Sequence, residues 1–523
     1  MKKEVQRLMS KESGKKMLLT ASFMAFATFI SKALGLVRDS LMGAYFGMGM
    51  EADAFMAASK LPTTLFDIVI GGVISASFIP IFSGIISKEG KERATVFANK
   101  FITMIVLVTL IISTLGIIFA DSLVSFMAPN FAADTHELAV KLTSIMFPMI
   151  IFTGLAFSFV GVLQSYGEYN IPAIISLVSN VAIILYFIIF GKKFGVEGLA
   201  ITMVISWSLQ VIVQIPSLIK LKFSYKPDFR LRDKNIKSAI LLAIPMLIST
   251  WVQPLYTLVN ARFASHIEGA YSSLEYANRL YLIMTGVFSF VVTNLIFPKL
   301  AHANADENKE EANALISMSI KAVIMVILPL MAGVIILSEP ITNIIYGHGS
   351  LAKDSGLVAS TLSCYAAGMV FLAINEVLSK AFFSMKKSVT PMVTSLISMV
   401  FNIVLVLSIY ELIRNDIVKL TGGLAIAAAG GSFINALLNG IMLFKKSPDI
   451  MSRKDASSIV KVILASAVMA VVVKIIYGLL SAYNSFAGSI IVCIICAAVG
   501  IGVYALMLVL LKVRELTDLI PKR

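Results

Sequence analysis

The sequence predicts an all-α polytopic membrane protein of about fourteen transmembrane helices, built as two six-helix lobes plus two C-terminal helices. Three observations lead there. Hydrophobic residues make up 58% of the 523 and charged residues only 14%, too little polar surface for a soluble chain of this length. The apolar residues are gathered into long runs, and one helical span needs about 20 of them. The chain therefore fills roughly fourteen spans and leaves little for a soluble domain. Finally, Lys and Arg collect in alternate connections between runs, as they do in the cytoplasmic loops of membrane proteins. No water is available at membrane depth to satisfy an open backbone, so each span is expected to be a helix.

In chain order, a basic segment, 1–16 (Lys2, Lys3, Arg7, Lys11, Lys15 and Lys16), comes first. The run behind it is too long for a signal-peptide core and lacks a convincing cleavage site, so it reads as a retained first span. Spans are expected near 17–46, 51–86, 94–127, 137–166, 170–190, 196–221, 236–265, 271–300, 313–337, 355–385, 388–410, 418–445, 457–480 and 487–511. With the N-terminus inside, the inside segments are the two termini, 87–93, 220–237, 299–311, 380–387 and 445–455. They hold roughly 29 Lys and Arg against roughly 6 outside; Lys192 and Lys193 are the exception, falling outside. The net charge of +14 is thus a topological signal, and no nucleic-acid partner is expected. An even number of spans places both termini in the cytoplasm.

The densest basic stretch (Lys220, Lys222, Lys226, Arg230, Arg232, Lys234, Lys237) sits between spans six and seven, where a two-lobed transporter would have its linker. The expected divisions are an N-lobe at 17–221, a linker at 222–236, a C-lobe at 237–445, a cytoplasmic loop at 446–456, a final helix pair at 457–511 and a tail at 512–523. A faint repeat crosses the linker. Pro80 to Ser83 leads to Lys91, Glu92 and Ala94; Pro298 to Ala301 leads at the same spacing to Lys309, Glu310 and Ala312. It reads either as a duplication about an axis along the membrane normal or as chance likeness of two Lys/Glu-rich loops.

Ionisable residues within spans are costly, about 2.5–3.5 kcal/mol each on insertion scales, and by default mark function. They are Lys32, Arg38 and Asp39 in span one; Asp53, Lys60 and Asp67 in span two; Arg279 in span eight; and Glu376 in span ten. Asp53 is expected toward the outer surface, where that cost falls. Seven residues apart, Lys32 and Asp39 share a helix face, while Arg38 points about 100° from Asp39. Gly35, Gly43 and Gly47 allow close packing or a bend. Several cations facing a water-filled cavity would suit a phosphate or pyrophosphate, with Arg the best match to its oxygens. The competing reading is internal ion pairing, for example of Lys60 with Asp53 or Asp67. Glu376 reads equally as an ion or proton site or as a partner for a cation.

Pro62, Pro148, Pro245, Pro254, Pro329 and Pro391 lie in or near spans and serve as static kinks or as hinges. Cys493 and Cys496 fall inside an apolar run and read as packing residues, and Cys364 stands alone. His136, His266, His302 and His348 lack metal-ligand spacing. No metal, cofactor or catalytic residue is expected. The longest outer loop, 337–357, holds Glu339, His348, Lys353 and Asp354 without the constellation a membrane glycosyltransferase would need.

The run from Ser31 to Asp39, continued by Tyr45 to Gly47, Ala52 to Phe55 and Lys60 to Pro62, resembles the MurJ/MviN family of lipid II flippases. That family lies within the multidrug/oligosaccharidyl-lipid/polysaccharide exporter superfamily. The likeness continues through Ser77 to Pro80, Tyr276 to Leu280, Phe382 to Ser384 and Thr390–Pro391, and so covers essentially the whole chain. The resemblance implies fourteen helices, two six-helix lobes around a cationic cavity, and a last helix pair forming a groove for a polyprenyl tail. It implies alternating access that carries undecaprenyl-pyrophosphate-linked peptidoglycan precursor from the inner to the outer leaflet of a bacterial cytoplasmic membrane. The partners it implies are that lipid, the bilayer and cell-wall synthesis machinery, with one chain sufficient for transport. Arg38 and Arg279 match family cavity arginines, and Lys32 stands where the family usually has Arg. Asp39 and Asp53 match family acidic residues. Where the family carries two arginines and then Glu-Gly after Lys60-Leu-Pro62, this chain has Phe66-Asp67 and Gly71-Gly72, and Asn278 replaces a frequent Asp. These departures leave the head group open, to a different polyprenyl-pyrophosphate saccharide or a second copy with a special role. An ion-coupled multidrug antiporter of the same superfamily is the other reading, against which the cations and the two extra helices argue.

Overall fold

A computed structural model describes residues 2–70, 73–241, 252–291, 296–297, 300, 303–304, 308–385, 387, 389–481 and 485–513. Several residues of the sequence reading lie outside these: Gly71, Gly72, Pro245, Pro298, Lys299, Ala301, His302 and the tail from 514. The described residues form helices and short connections, with no strand among them. Nine of these helices are long and apolar enough to cross a membrane, or ten if the bent pair Ser355–Ala366 and Met369–Ser384 is one span. They correspond to expected spans three to six and nine to fourteen. Spans one, two and eight, which carry most of the embedded charges, fall outside that set, as does span seven, described over residues 236–241 and 252–265.

The chain forms two compact units. One comprises Met1–Tyr45 and Ala54–Pro254, the other Phe46–Asp53 and Leu255–Arg523. The first unit holds helix Lys2–Phe46 up to Tyr45 and helix Met50–Val69, which contains Pro62, from Ala54 on. The expected second span is not one rod. After Ile70 comes a π-helical turn, Ile74–Phe78, then helix Ile79–Glu89, which Gly90 ends at φ +88°. Pro148 likewise separates Ala133–Met146 from Met149–Ser165. The core stacks Phe78 on Phe82 and tilts it against Phe101, at centroid distances of 5.1 and 4.7 Å. Gly161 lets this stack approach helix Met149–Ser165, since a Cβ there would lie 2.8 Å from Phe78. Surrounding lipid is as apolar as these rings, so dispersion and close fit hold the helices together, more than any escape from water.

The basic linker is an ordered strap. Residues 223–233 run without helix and then enter a helix at 234. Inward-facing groups tie the strap to helix Lys91–Ile118. The Lys226 N–H donates to Asn99 Oδ1 at 3.2 Å and the Asp228 N–H to Thr103 Oγ1 at 3.0 Å; the Tyr225 hydroxyl lies 3.0 Å from the same Thr103 oxygen. Lys100 donates to Asp233 at 2.8 Å. That ammonium group holds the Asp233 carboxyl below its usual range, against the opposing effect of burial, with the Asn235 N–H assisting.

In the second unit the expected outer loop at 337–357 is largely helical. It forms Ser338–Tyr346 and a 3₁₀ turn, Gly349–Lys353. The chain then crosses through Val389–Ile413 and Ile417–Lys446, whose Asp416 caps the Val418 and Lys419 N–H groups. The last helices are Arg453–Leu480 and Phe486–Leu510. A reciprocal Ser452–Asp455 capping box starts the first of them, worth about 1 kcal/mol.

Candidate functional site

The embedded charges form distinct settings within each unit. In the first, Arg38 is folded back along its own helix. Its Nε and Nη2 donate to Asp39 Oδ1 at 3.0 and 2.9 Å, and its Nη1 donates to Asn180 Oδ1 at 3.0 Å. The Asn180 amide donates in turn to the Ser31 carbonyl at 2.9 Å. Gly35 faces the same amide, and a Cβ there would make an ordinary contact with Asn180 at 3.6 Å. The helical offset of about 100° between neighbours thus did not separate Arg38 from Asp39, because the long side chain bends back to the carboxylate. Asp39 is buried, while 29% of the Arg38 side chain remains exposed. These bonds use three of the five guanidinium N–H donors, leaving a fork oriented on two sides with donors to spare. Lys32 and Lys60 are half-buried and Asp67 is exposed.

The second unit takes in the turn that follows this helix. Gly47, at φ +63°, ends helix Lys2–Phe46, and a side chain there would meet Ser350 at 3.2 Å as well as a strained backbone. The Gly47 carbonyl accepts from the Tyr276 hydroxyl at 3.2 Å. Asp53 is almost wholly enclosed by protein. Its two oxygens accept the N–H groups of Gly269 and Ser272 at 2.7 and 2.8 Å, at the start of helix Ala270–Val291. In return, Glu268 Oε1 accepts the Met50 N–H at 3.1 Å, at the start of helix Met50–Val69. Each helix start is therefore capped by a carboxylate from the other's start, Asp53 from the first turn of helix Met50–Val69 and Glu268 from just before helix Ala270–Val291. That placement of negative charge suits both helix dipoles, and it makes Asp53 a backbone clasp here.

Along helix Ala270–Val291, Glu275 is buried and lies one turn before half-buried Arg279, on the same face. Asn278 is also half-buried. Glu376 stands 4.0 Å from Lys380, one turn on. Asn180 and Glu275 escaped the sequence reading. A Glu four residues before an embedded Arg was a readable signal; nothing local marks Asn180, whose partners lie 142 and 149 residues away.

The second unit also holds an apolar groove of about 440 Å³. Helix Lys309–Ile336 gives it Val326, Pro329 and Val334, and the last two helices give Met469, Cys496 and Tyr504. Both Cys493 and Cys496 line it as free thiols, and no Asp, Glu, Lys, Arg or His does. Polar contacts bound the helices at either end. Lys321 donates to Asp455 at 2.6 Å, and the Tyr477 hydroxyl donates to Glu339 at 2.8 Å. Asp455 and Tyr477 are about 33 Å apart along one helix, close to the thickness of a bilayer core. Along helix Phe486–Leu510 the groove lining runs from Cys493 to Tyr504, about 17 Å, long enough to hold part of a long alkyl chain. Among the described residues, no His, Cys, Asp and Glu side chains are grouped to hold a metal ion.

Comparison with known proteins places this geometry. The family described as lipid II flippase MurJ matches residues 42–497. The lipid II flippase MurJ of Burkholderia cenocepacia is 27% identical over 431 residues, covering 80% of this chain and 82% of its own. A probable lipid II flippase MurJ of Rickettsia prowazekii is 29% identical, covering 72% of this chain and 75% of its own. A solved lipid II flippase MurJ in an inward closed conformation superposes with a TM-score of 0.77 at 25% identity, over 92% of this chain and 97% of its own. An inward-facing multidrug resistance MATE family transporter of the MOP superfamily shares the fold, with a TM-score of 0.67 at 16% identity, over 80% of this chain and 95% of its own.

Proposed function

This chain belongs to the lipid II flippase MurJ family, and we propose that it carries lipid II, the undecaprenyl-pyrophosphate-linked peptidoglycan precursor, from the inner to the outer leaflet of a bacterial cytoplasmic membrane. The observation that carries the reading is the separation of apolar and cationic surface. The groove of the last two helices offers a long tail only apolar walls, while the embedded cations Lys32, Arg38, Lys60 and Arg279 all lie outside it. We assign the tail to the groove and the pyrophosphate to those four side chains, with Arg38 and Arg279 the principal ones. Asp39 aims the Arg38 fork. Asp53 fastens the turn that follows the same helix. Asp67 and Glu376 are the acids left to balance these cations or to couple an ion. In this reading no covalent bond changes. One chain works by alternating access, its N-lobe at 17–221 and C-lobe at 237–445, with both termini in the cytoplasm. The cell-wall synthesis machinery receives the product.

The test is rescue of cells depleted of their only lipid II flippase, with outer-leaflet lipid II as the readout. The wild type should restore it; Arg38→Ala and Arg279→Ala, expressed and inserted equally, should not. Activity in both variants would overturn the assignment of the cations. A well-inserted wild type that failed would redirect the proposal to another polyprenyl-pyrophosphate saccharide, as the departures at Phe66, Asp67, Gly71 and Asn278 would suggest.

A further inference from the structure

The strap at 223–233 alternates in a way the transport cycle does not explain. Phe223, Tyr225, Asp228 and Asp233 are turned toward the protein and tied there, whereas Lys222, Lys226, Phe229, Arg230, Arg232 and Lys234 are exposed. Phe229 is 69% exposed and stands in sequence among Lys226, Arg230, Arg232 and Lys234. Arg230 is paired with Asp228 at 3.0 Å. Lys226, Arg232 and Lys234 make no ion pair among the described residues.

The depth of the strap is fixed by what it grips. Asn99, Lys100 and Thr103 sit where helix Lys91–Ile118 changes character. Residues 91–100 include four charged side chains, and residues 101–118 include none. That uncharged stretch is about 27 Å long, close to the thickness of the hydrocarbon core. The strap therefore lies at the boundary between hydrocarbon and headgroups, on the side rich in Lys and Arg. Aromatic rings partition to that boundary, and basic side chains beside it meet lipid phosphates.

We propose that the outward face of this strap is a binding site for anionic phospholipid headgroups of the inner leaflet, with Phe229 seated where the acyl chains join the glycerol and Lys226, Arg230 and Arg232 on the phosphates. The site holds the linker to the membrane surface while its inward face holds the helix.

The test uses the full chain in which Trp207 and Trp251 are replaced by Phe and Phe229→Trp supplies the only indole. The protein is reconstituted in vesicles containing brominated phosphatidylglycerol or brominated phosphatidylcholine. Quenching by the anionic lipid should exceed that by the zwitterionic lipid by about twofold. Adding Lys226→Gln, Arg230→Gln and Arg232→Gln should erase the difference while leaving the elution profile and helix content unchanged. Equal quenching by the two lipids would overturn the headgroup site, and no quenching by either would overturn the membrane placement and point to a protein partner for the basic face. Millimolar inorganic phosphate at matched ionic strength should leave the difference intact. Its loss would assign the site to free phosphate and overturn the lipid assignment.

Discussion

Helix Lys2–Phe46 carries Lys32, Arg38 and Asp39 within its apolar length, whereas helix Phe486–Leu510 carries no Asp, Glu, Lys or Arg at all. In the first, each described charge contact reaches for a specific partner. Arg38 is bonded to Asp39 and Asn180, and Asn180 closes back on Ser31. In the second, Cys493, Cys496, Ala497 and Gly500 present only small apolar surface to a groove. The first helix thus specifies geometry through directed bonds, and the last specifies a shape and little else. A substrate with a charged head and a long featureless tail needs one of each.

The contrast breaks most visibly at Arg38. Arg38→Ala should abolish lipid II rescue while membrane insertion persists. Arg38→Lys should recover only a small part, because an ammonium cannot bond Asp39 and Asn180 while offering a planar fork to phosphate. Rescue by the Lys variant at the wild-type level would show that charge alone matters there.

Asp53 should show the next effect, in stability. Its carboxylate serves two backbone N–H groups in a dry setting, and bonds to charged groups contribute about 1.5–3 kcal/mol each. Asp53→Ala should therefore lower stability by about 3 kcal/mol, and Asp53→Asn, which keeps an acceptor, by roughly half of that. Thermal unfolding of the purified protein in detergent measures both, and a shift within error for the Ala variant would remove the clasp.

These partners mark the limit of what the sequence made legible. Helices Lys91–Ile118, Asn170–Ile189 and Phe486–Leu510 follow from apolar runs, because the bilayer reads composition over a fixed length. Position along a run also picked out Arg38, Asp39 and Asp53. What composition could not convey was which atoms they meet. Asn180 lies 142 residues from Arg38, and Gly269 lies 216 from Asp53. The strap was legible as a cluster of cations, but its alternation became meaningful only once Asn99, Lys100 and Thr103 showed which face was inward. That helix Met50–Val69 ends inside the expected second span was missed, although Gly71-Gly72 in the sequence was a readable signal for it.

On the apolar side the comparison sharpens by filling the groove. Ala497→Trp would place an indole where the tail is assigned. Gly500→Leu would add a smaller obstruction, its Cβ meeting Val473 at 3.1 Å. Ala497→Trp should weaken binding of a long-chain polyprenyl pyrophosphate about tenfold, or about 1.4 kcal/mol, and leave a short-chain analogue unaffected. Equal weakening of both lengths would mean that the groove acts through folding and does not hold the tail.

The smallest effect belongs to Lys100–Asp233, a directed bond between two side chains that are only partly exposed. Lys100 donates to Asp233 at 2.8 Å, with 14% and 21% of the two side chains exposed. The pair lowers the Asp233 carboxyl below its unfolded value, so its contribution is fully present above the ordinary carboxylate range and is lost as pH falls through the lowered folded value. Partly hydrated pairs of this kind contribute about 1 kcal/mol or less. Asp233→Asn should therefore cost about that much near neutral pH and nothing below the folded value, so that the wild-type and variant stability curves converge on acidification. The strap should also loosen first in that variant, with faster hydrogen exchange at the Lys226 and Asp228 amides than at those of helix Lys91–Ile118. Parallel stability curves at all pH values would show that the pair contributes no pH-linked stability, leaving the backbone bonds to Asn99 and Thr103 as what holds the strap in place.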